Sequence, residues 1–245
     1  MEKHMNLALL HGFLGSHRDY TLVFNELKKN KVRYKEYAPD FFKAGPCSAA
    51  HDYDVWCKNF LSELEKRFGP EPVVLVGYSL GARLALHAYF AAPQKFSRLL
   101  LLAANPGILQ STPHERRQWE QNWADCFRRK PWEEAMAAWN QQQVFAQATP
   151  RLVPQEGQLD RELVADSLSR WSLLTHLYSL DDLRRLPQTV EWWYGQLDQK
   201  FMAVKAELER LKVPGQYQVI ANTGHRLTLD AAEVLAQALM TGGPR

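Results

Sequence analysis

Little in this chain is available to staple it, to bind a metal or to carry it into a membrane. It has three cysteines, Cys47, Cys57 and Cys126, with no Cys-x-x-Cys pair and no metal-type spacing. That excludes a disulfide framework and a zinc module, and reads as free thiols in a reducing compartment. The start has no apolar stretch long enough for a secretion signal, and no later run approaches the ~20 residues that span a bilayer. The expectation is a cytoplasmic protein with no membrane partner. Basic residues number 30 and acidic residues 27, spread along the chain for a net charge of +3, and no Lys/Arg run forms a patch. Nucleic acid is therefore not an expected partner. His, Asp and Glu do not cluster at ligand spacing, and neither Gly-x-Gly-x-x-Gly nor a phosphate-binding loop occurs, so no metal or cofactor is expected. Internal repeats and low-complexity tracts are also missing.

What is present is an alternation. Short apolar runs at 6–10, 33–37, 73–76, 99–103, 190–194 and 217–221 read as strands, most of them continuous enough to be buried on both faces. Helical patterns at 19–29, 53–68, 80–91, 200–211 and 231–240 fill the gaps. Alternation of this kind predicts a mostly parallel sheet covered by helices on both faces, an α/β fold. The 245 residues suit one such domain with an insertion, ahead of the alternative of two small domains. The alternation stops after Ala103. Residues 105–186 are rich in Trp, Gln, Arg and Glu, show no convincing strand, and carry helical patterns near 114–129, 132–143 and 160–177. The reading is a core made of 1–104 and 187–245, with 105–186 inserted as a helical cap over the site.

The strand at 73–76 runs into Gly77-Tyr78-Ser79-Leu80-Gly81, and a helix follows. This is the Gly-x-Ser-x-Gly nucleophile elbow in its strand–turn–helix context. So tight a turn strains the serine backbone and tolerates no side chains beside it, and it holds the hydroxyl at the positive end of a helix. The first strand ends in His11-Gly12-Phe13, where the backbone N–H of Phe13 can pair with that of Leu80 as an oxyanion hole. A serine needs an imidazole to take its proton and an acid to orient that imidazole, in the chain order serine, acid, histidine. Strand 190–194 leads into Gly195-Gln196-Leu197-Asp198, and strand 217–221 leads into Asn222-Thr223-Gly224-His225. The candidate triad is Ser79, Asp198 and His225. Asp181 and Asp182 compete less well because they lie in the insertion, and His87 and His176 read as packed against helices.

These residues identify the chain as a member of the α/β-hydrolase-fold superfamily. Further stretches resemble one family within it, the 2-succinyl-6-hydroxy-2,4-cyclohexadiene-1-carboxylate synthases of menaquinone biosynthesis. They are the elbow through Ala82-Arg83, Asn105-Pro106-Gly107-Ile108 with Glu115-Arg116, Trp139 through Phe145, and Tyr194-Gly195-Gln196-Leu197-Asp198-Gln199-Lys200-Phe201. The resemblance implies a cofactor-free lyase that eliminates pyruvate from a succinyl-bearing cyclohexene dicarboxylate. In that family Ser79 would be the proton-abstracting base, and Tyr78, Arg83, Arg116 and Trp139 would contact this small-molecule carboxylate. Two stretches depart from the family pattern. Asp40-Phe41-Phe42-Lys43-Ala44-Gly45-Pro46-Cys47-Ser48 stands where a Gly-His-Gly-x-Ser loop is usual, and Arg170 only loosely matches a late-cap arginine. The same triad also suits a hydrolase that cleaves esters or C–C bonds through a Ser79 acyl-enzyme on a small acidic substrate. The sequence gives no oligomeric state.

Overall fold

The run Val73–Tyr78 forms strand β3, and all six of its residues are buried. Each large apolar side chain so buried contributes roughly 1.5–3 kcal/mol. In the computed structural model, which describes residues 4–108, 111–151 and 153–241, this strand lies near the centre of a six-stranded sheet. Its companions are β1 (Met5–Leu10), β2 (Tyr34–Tyr37), β4 (Phe96–Leu102), β5 (Glu191–Gly195) and β6 (Gln216–Ile220). Their order is β2-β1-β3-β4-β5-β6, and every pairing is parallel. A parallel sheet brings all its strand C-termini to one edge, so the turns after β1, β3, β5 and β6 gather there.

Helices α1 (Thr21–Lys29), α2 (Tyr53–Phe68), α3 (Leu80–Ala91) and α8 (Gln199–Arg210) cover the sheet, with α9 (Leu227–Asp230) and α10 (Ala232–Thr241) after the last strand. Two apolar clusters flank the sheet. Trp56, Phe60, Leu84 and Trp192 belong to one, and Tyr20, Leu27, Trp193 and Leu235 to the other. Between β4 and β5 the described residues form α4 (Pro113–Arg129), α5 (Trp132–Asn140), α6 (Arg161–Arg170) and the short α7 (Leu180–Arg184), with no strand. None of the described helices is long and apolar enough to cross a membrane.

Three helices differ from the sequence reading, each for a local reason. The pattern over 160–177 is helical only to Arg170. Beyond it the Trp171 indole donates to the His51 carbonyl at 3.0 Å and Ser172 Oγ is drawn to Glu120, so tertiary bonds replace the helix. His176 therefore lies outside any helix, with Nδ1 2.6 Å from the Leu173 carbonyl. The helix begun at Trp132 ends at Asn140, whose amide folds back onto the Met136 carbonyl at 2.8 Å. The pattern from 231 begins earlier, as α9, and breaks at Ala231 before α10.

Candidate active site

The elbow is as tight as its glycines require. Ser79 sits at φ 53° and ψ −109°, in the left-handed half of backbone space, as the residue preceding α3. A Cβ at Gly81 would lie 2.0 Å from the Leu10 carbonyl oxygen, and one at Gly77 would lie 2.5 Å from the Gly81 oxygen. Neither position accepts a side chain, because strand β1 and helix α3 close on the turn from both sides. The Ser79 N–H is tied to the Leu102 carbonyl at 2.8 Å, which holds the strained residue in place.

Two further turns deliver the partners. Asp198 follows β5 and precedes α8; one carboxylate oxygen accepts from the Phe201 N–H at 3.3 Å and the other lies 2.6 Å from His225 Nδ1. The positive end of α8 thus shares in holding this buried carboxylate. His225 follows β6, with Nε2 3.2 Å from Ser79 Oγ. It is 4% exposed, and the rings of Tyr78, Phe145 and Phe201 surround it with centroids 5.5, 5.7 and 4.5 Å away. An imidazole so placed can draw the serine proton while the acid fixes its tautomer and steadies its charge.

Ser79 and His225 open onto a cavity of about 460 Å³. Phe13 and Leu80 line it, and among the described residues neither of their N–H groups has a hydrogen-bond partner. The turn bearing Phe13 is pegged from below by His11. Nε2 of His11 accepts from the Phe41 N–H at 3.0 Å, and Nδ1 lies 2.8 Å from the Gly12 carbonyl. Complete burial lowers the His11 pKa to about 4, so it is a neutral peg. Phe41 and Phe42, in the stretch that departs from the family pattern, are fully buried against this histidine. Gly12 has no room for a side chain, since its Cβ would meet the Tyr78 ring at 2.7 Å.

The remaining candidates meet in the same cavity. Tyr78, Arg83, Arg116 and Trp139 all line it. Arg83 is steadied through Nη1, which donates to Tyr53 Oη at 3.2 Å and to the Trp171 carbonyl. Arg116 is held by Nε, 2.6 Å from the buried Glu120 carboxylate, and its guanidinium lies 4.6 Å over the Trp119 ring. Ser172 Oγ donates to Glu120 at 2.8 Å, so the carboxylate is itself fixed. Burial lowers the Arg116 pKa, and the nearby Arg83 cation lowers it further. Lys200 also lines the cavity, and burial followed by the charge of Arg116 lowers its pKa.

Arg170 is not part of this constellation; it is largely exposed and pairs with Asp166 at 3.0 Å. Asp181 and Asp182 lie in α7, paired with Arg184 and Arg185. His87 packs beneath Arg83, stacked on Tyr53 at 3.8 Å, with Nε2 accepting from the Leu177 N–H at 3.1 Å. Sequence reasoning missed Glu120, Arg151 and Arg226. The spacing of Glu120 four residues after Arg116 was the one available signal.

A family model described as "Alpha/beta hydrolase family" matches residues 7–238. The chain is 29% identical over 238 residues to a 2-succinyl-6-hydroxy-2,4-cyclohexadiene-1-carboxylate synthase of Enterobacter sp. (strain 638), covering 95% of this chain and 89% of the relative. A protein of the same name from Citrobacter koseri is 37% identical over 160 residues, 62% of this chain and 60% of the relative. Among solved structures, MenH from S. aureus superposes with a TM-score of 0.80 at 21% identity, covering 97% of this chain and 92% of that one. A 2-hydroxy-6-oxo-6-phenylhexa-2,4-dienoate hydrolase from Rhodococcus sp. strain RHA1 does so at 0.67 and 17%, covering 98% and 91%. At such identities the structural likeness shows the fold.

Proposed function

The chain belongs to the alpha/beta hydrolase family, and on that premise we propose that it is a lyase releasing pyruvate from a succinyl-bearing cyclohexene dicarboxylate. One observation carries the reading: Arg83 and Arg116, from two different helices, reach the cavity onto which Ser79 opens. Guanidinium groups in a half-buried, largely apolar site are suited to carboxylates, which they bind bidentately. The names of the relatives supply the product, a 2-succinyl-6-hydroxy-2,4-cyclohexadiene-1-carboxylate, and the loss of pyruvate is what the family resemblance implies. A cavity of about 460 Å³ also suits a compact small molecule.

In this mechanism Ser79, its proton drawn to His225, removes a ring proton. The Phe13 and Leu80 N–H groups hold the negative charge that develops on the conjugated carbonyl. The C–H electrons become a ring double bond, the C–O bond to the enolpyruvyl group breaks, and a proton returns to the leaving group, which departs as pyruvate. Asp198 keeps His225 oriented throughout. Residues 105–186 act as the cap that contributes Arg116 and Trp139, and no cofactor takes part.

The test is release of pyruvate by the purified protein from that substrate, with loss of about 10⁴-fold or more in Ser79→Ala. The competing reading is a hydrolase working through an acyl-enzyme with the same three residues. A burst of p-nitrophenol from simple esters, with no pyruvate formed, would decide for the hydrolase.

A further inference from the structure

The loop that presents His225 continues directly into Arg226, a residue that no motif singles out. Arg226 lines the cavity yet is only 7% exposed, and its charge is directed into protein. Nη1 donates to the Thr149 carbonyl at 2.7 Å, and Nη2 donates to Asn140 Oδ1 at 2.6 Å. The guanidinium also lies 4.6 Å over the ring of Phe145, and that ring meets His225 edge-on. One planar fork therefore grips both ends of the segment 140–149 and its middle, which a lysine ammonium could not do.

Other bonds run the same way. Asp230 accepts from the Thr149 N–H at 3.2 Å and from the Gly224 N–H at 3.3 Å, bridging segment and histidine loop with one carboxylate. A Cβ at Gly224 would come within 2.4 Å of the Gln147 carbonyl oxygen, so the two backbones touch. At the far end, Arg151 donates to the Leu14 carbonyl and to Asp19 Oδ2, tying the segment to the turn that bears Phe13.

We infer that Arg226 is a positioning residue: it holds Phe145 and the segment 140–149 against His225, and so keeps the imidazole aligned between Asp198 and Ser79. This rests on the triad roles proposed above but not on the identity of the substrate. The segment is then a fixed wall, fastened on one side to the histidine loop and on the other to the Phe13–Leu14 turn.

The test uses the reaction of Ser79 with a fluorophosphonate probe, which needs the triad but no natural substrate. It is joined by the low-field proton resonance of the His225 Nδ1–H. In Arg226→Gln, labelling is expected to slow roughly 10- to 100-fold, the scale of a misplaced catalytic group. The low-field resonance should broaden as solvent reaches the ring, while near-UV circular dichroism stays that of the folded protein. Arg226→Lys should recover part of the rate. Asn140→Ala, which removes one acceptor and leaves the charge, should slow labelling several-fold and keeps the question answerable if Arg226→Gln does not fold. Wild-type labelling and an unchanged resonance in Arg226→Gln, or in Asn140→Ala where that variant alone folds, would overturn the inference. So would a slowing that tracks loss of the near-UV signal in every variant. Labelling that responds to Arg226 with no pyruvate released would instead count against the lyase reading alone.

Discussion

Among the described residues, five cationic side chains line the cavity, and they divide by wall. On one wall Arg83, Arg116 and Lys200 come from α3, α4 and α8. Arg116 is hydrogen-bonded through Nε and rests over the Trp119 ring, and among the described residues neither of its terminal nitrogens has a hydrogen-bond partner. On the other wall the two terminal nitrogens of Arg151 and of Arg226 all reach protein acceptors. Residue type does not distinguish the walls; the supply of acceptors does. Where the fold provides carbonyl and carboxylate oxygens, an arginine becomes a strap. Where it supplies acceptors to one nitrogen only, as at Arg83 and Arg116, the other guanidinium nitrogens are left for an anion that enters the cavity.

The comparison can be sharpened by substitution. Ser79→Ala touches neither wall and sets the floor, with kcat/KM for pyruvate release expected to fall by about 10⁴ to 10⁶. Arg116→Gln removes a cation from the open wall, and steady-state kinetics should show a loss of about 2–5 kcal/mol in kcat/KM. A milder change on the strapped wall is made by acid. His11 pegs the turn to which Arg151 is tied, and burial lowers its pKa from 6.5 to about 4. The unfolded chain therefore takes up a proton below pH 6.5 that the folded protein refuses until about pH 4. The His11 contribution to stability should be whole above pH 7 and be lost, by roughly 3 kcal/mol, as pH falls through that window. Urea titrations across pH should show a decline to which buried His87, its pKa lowered to about 3, adds its own share, and His11→Gln should make that decline shallower without abolishing it. Glu120→Gln leaves an acceptor for Arg116 but removes the charge, and should raise KM by roughly tenfold, about 1.4 kcal/mol, with kcat little changed.

Much of this was readable in the chain because it is written in short-range patterns. The glycines at 77 and 81 announce a turn that the Leu10 carbonyl and α3 crowd from both sides. Asp198 and His225 each follow an apolar run, and a parallel sheet places such positions at one edge. The strap was not legible. Arg226 finds its acceptors 77 and 86 residues away, and Arg151 finds Leu14 across 137 residues. No local periodicity encodes such partners. The same limit explains the helix over 160–177, where Trp171 and Ser172 abandon a regular pattern for His51 and Glu120. Buried His11 and His87 were legible as histidines but not as neutral pegs, because their burial is a property of the assembled core.

The central claim is that the open wall binds the substrate and the strapped wall aligns the reacting groups. It is tested most directly by the split between kcat and KM in Arg116→Gln and Arg226→Gln, measured side by side on pyruvate release. Arg116→Gln should act mainly through KM and Arg226→Gln mainly through kcat. Equal effects of the two variants on KM, with kcat unmoved in both, would contradict it.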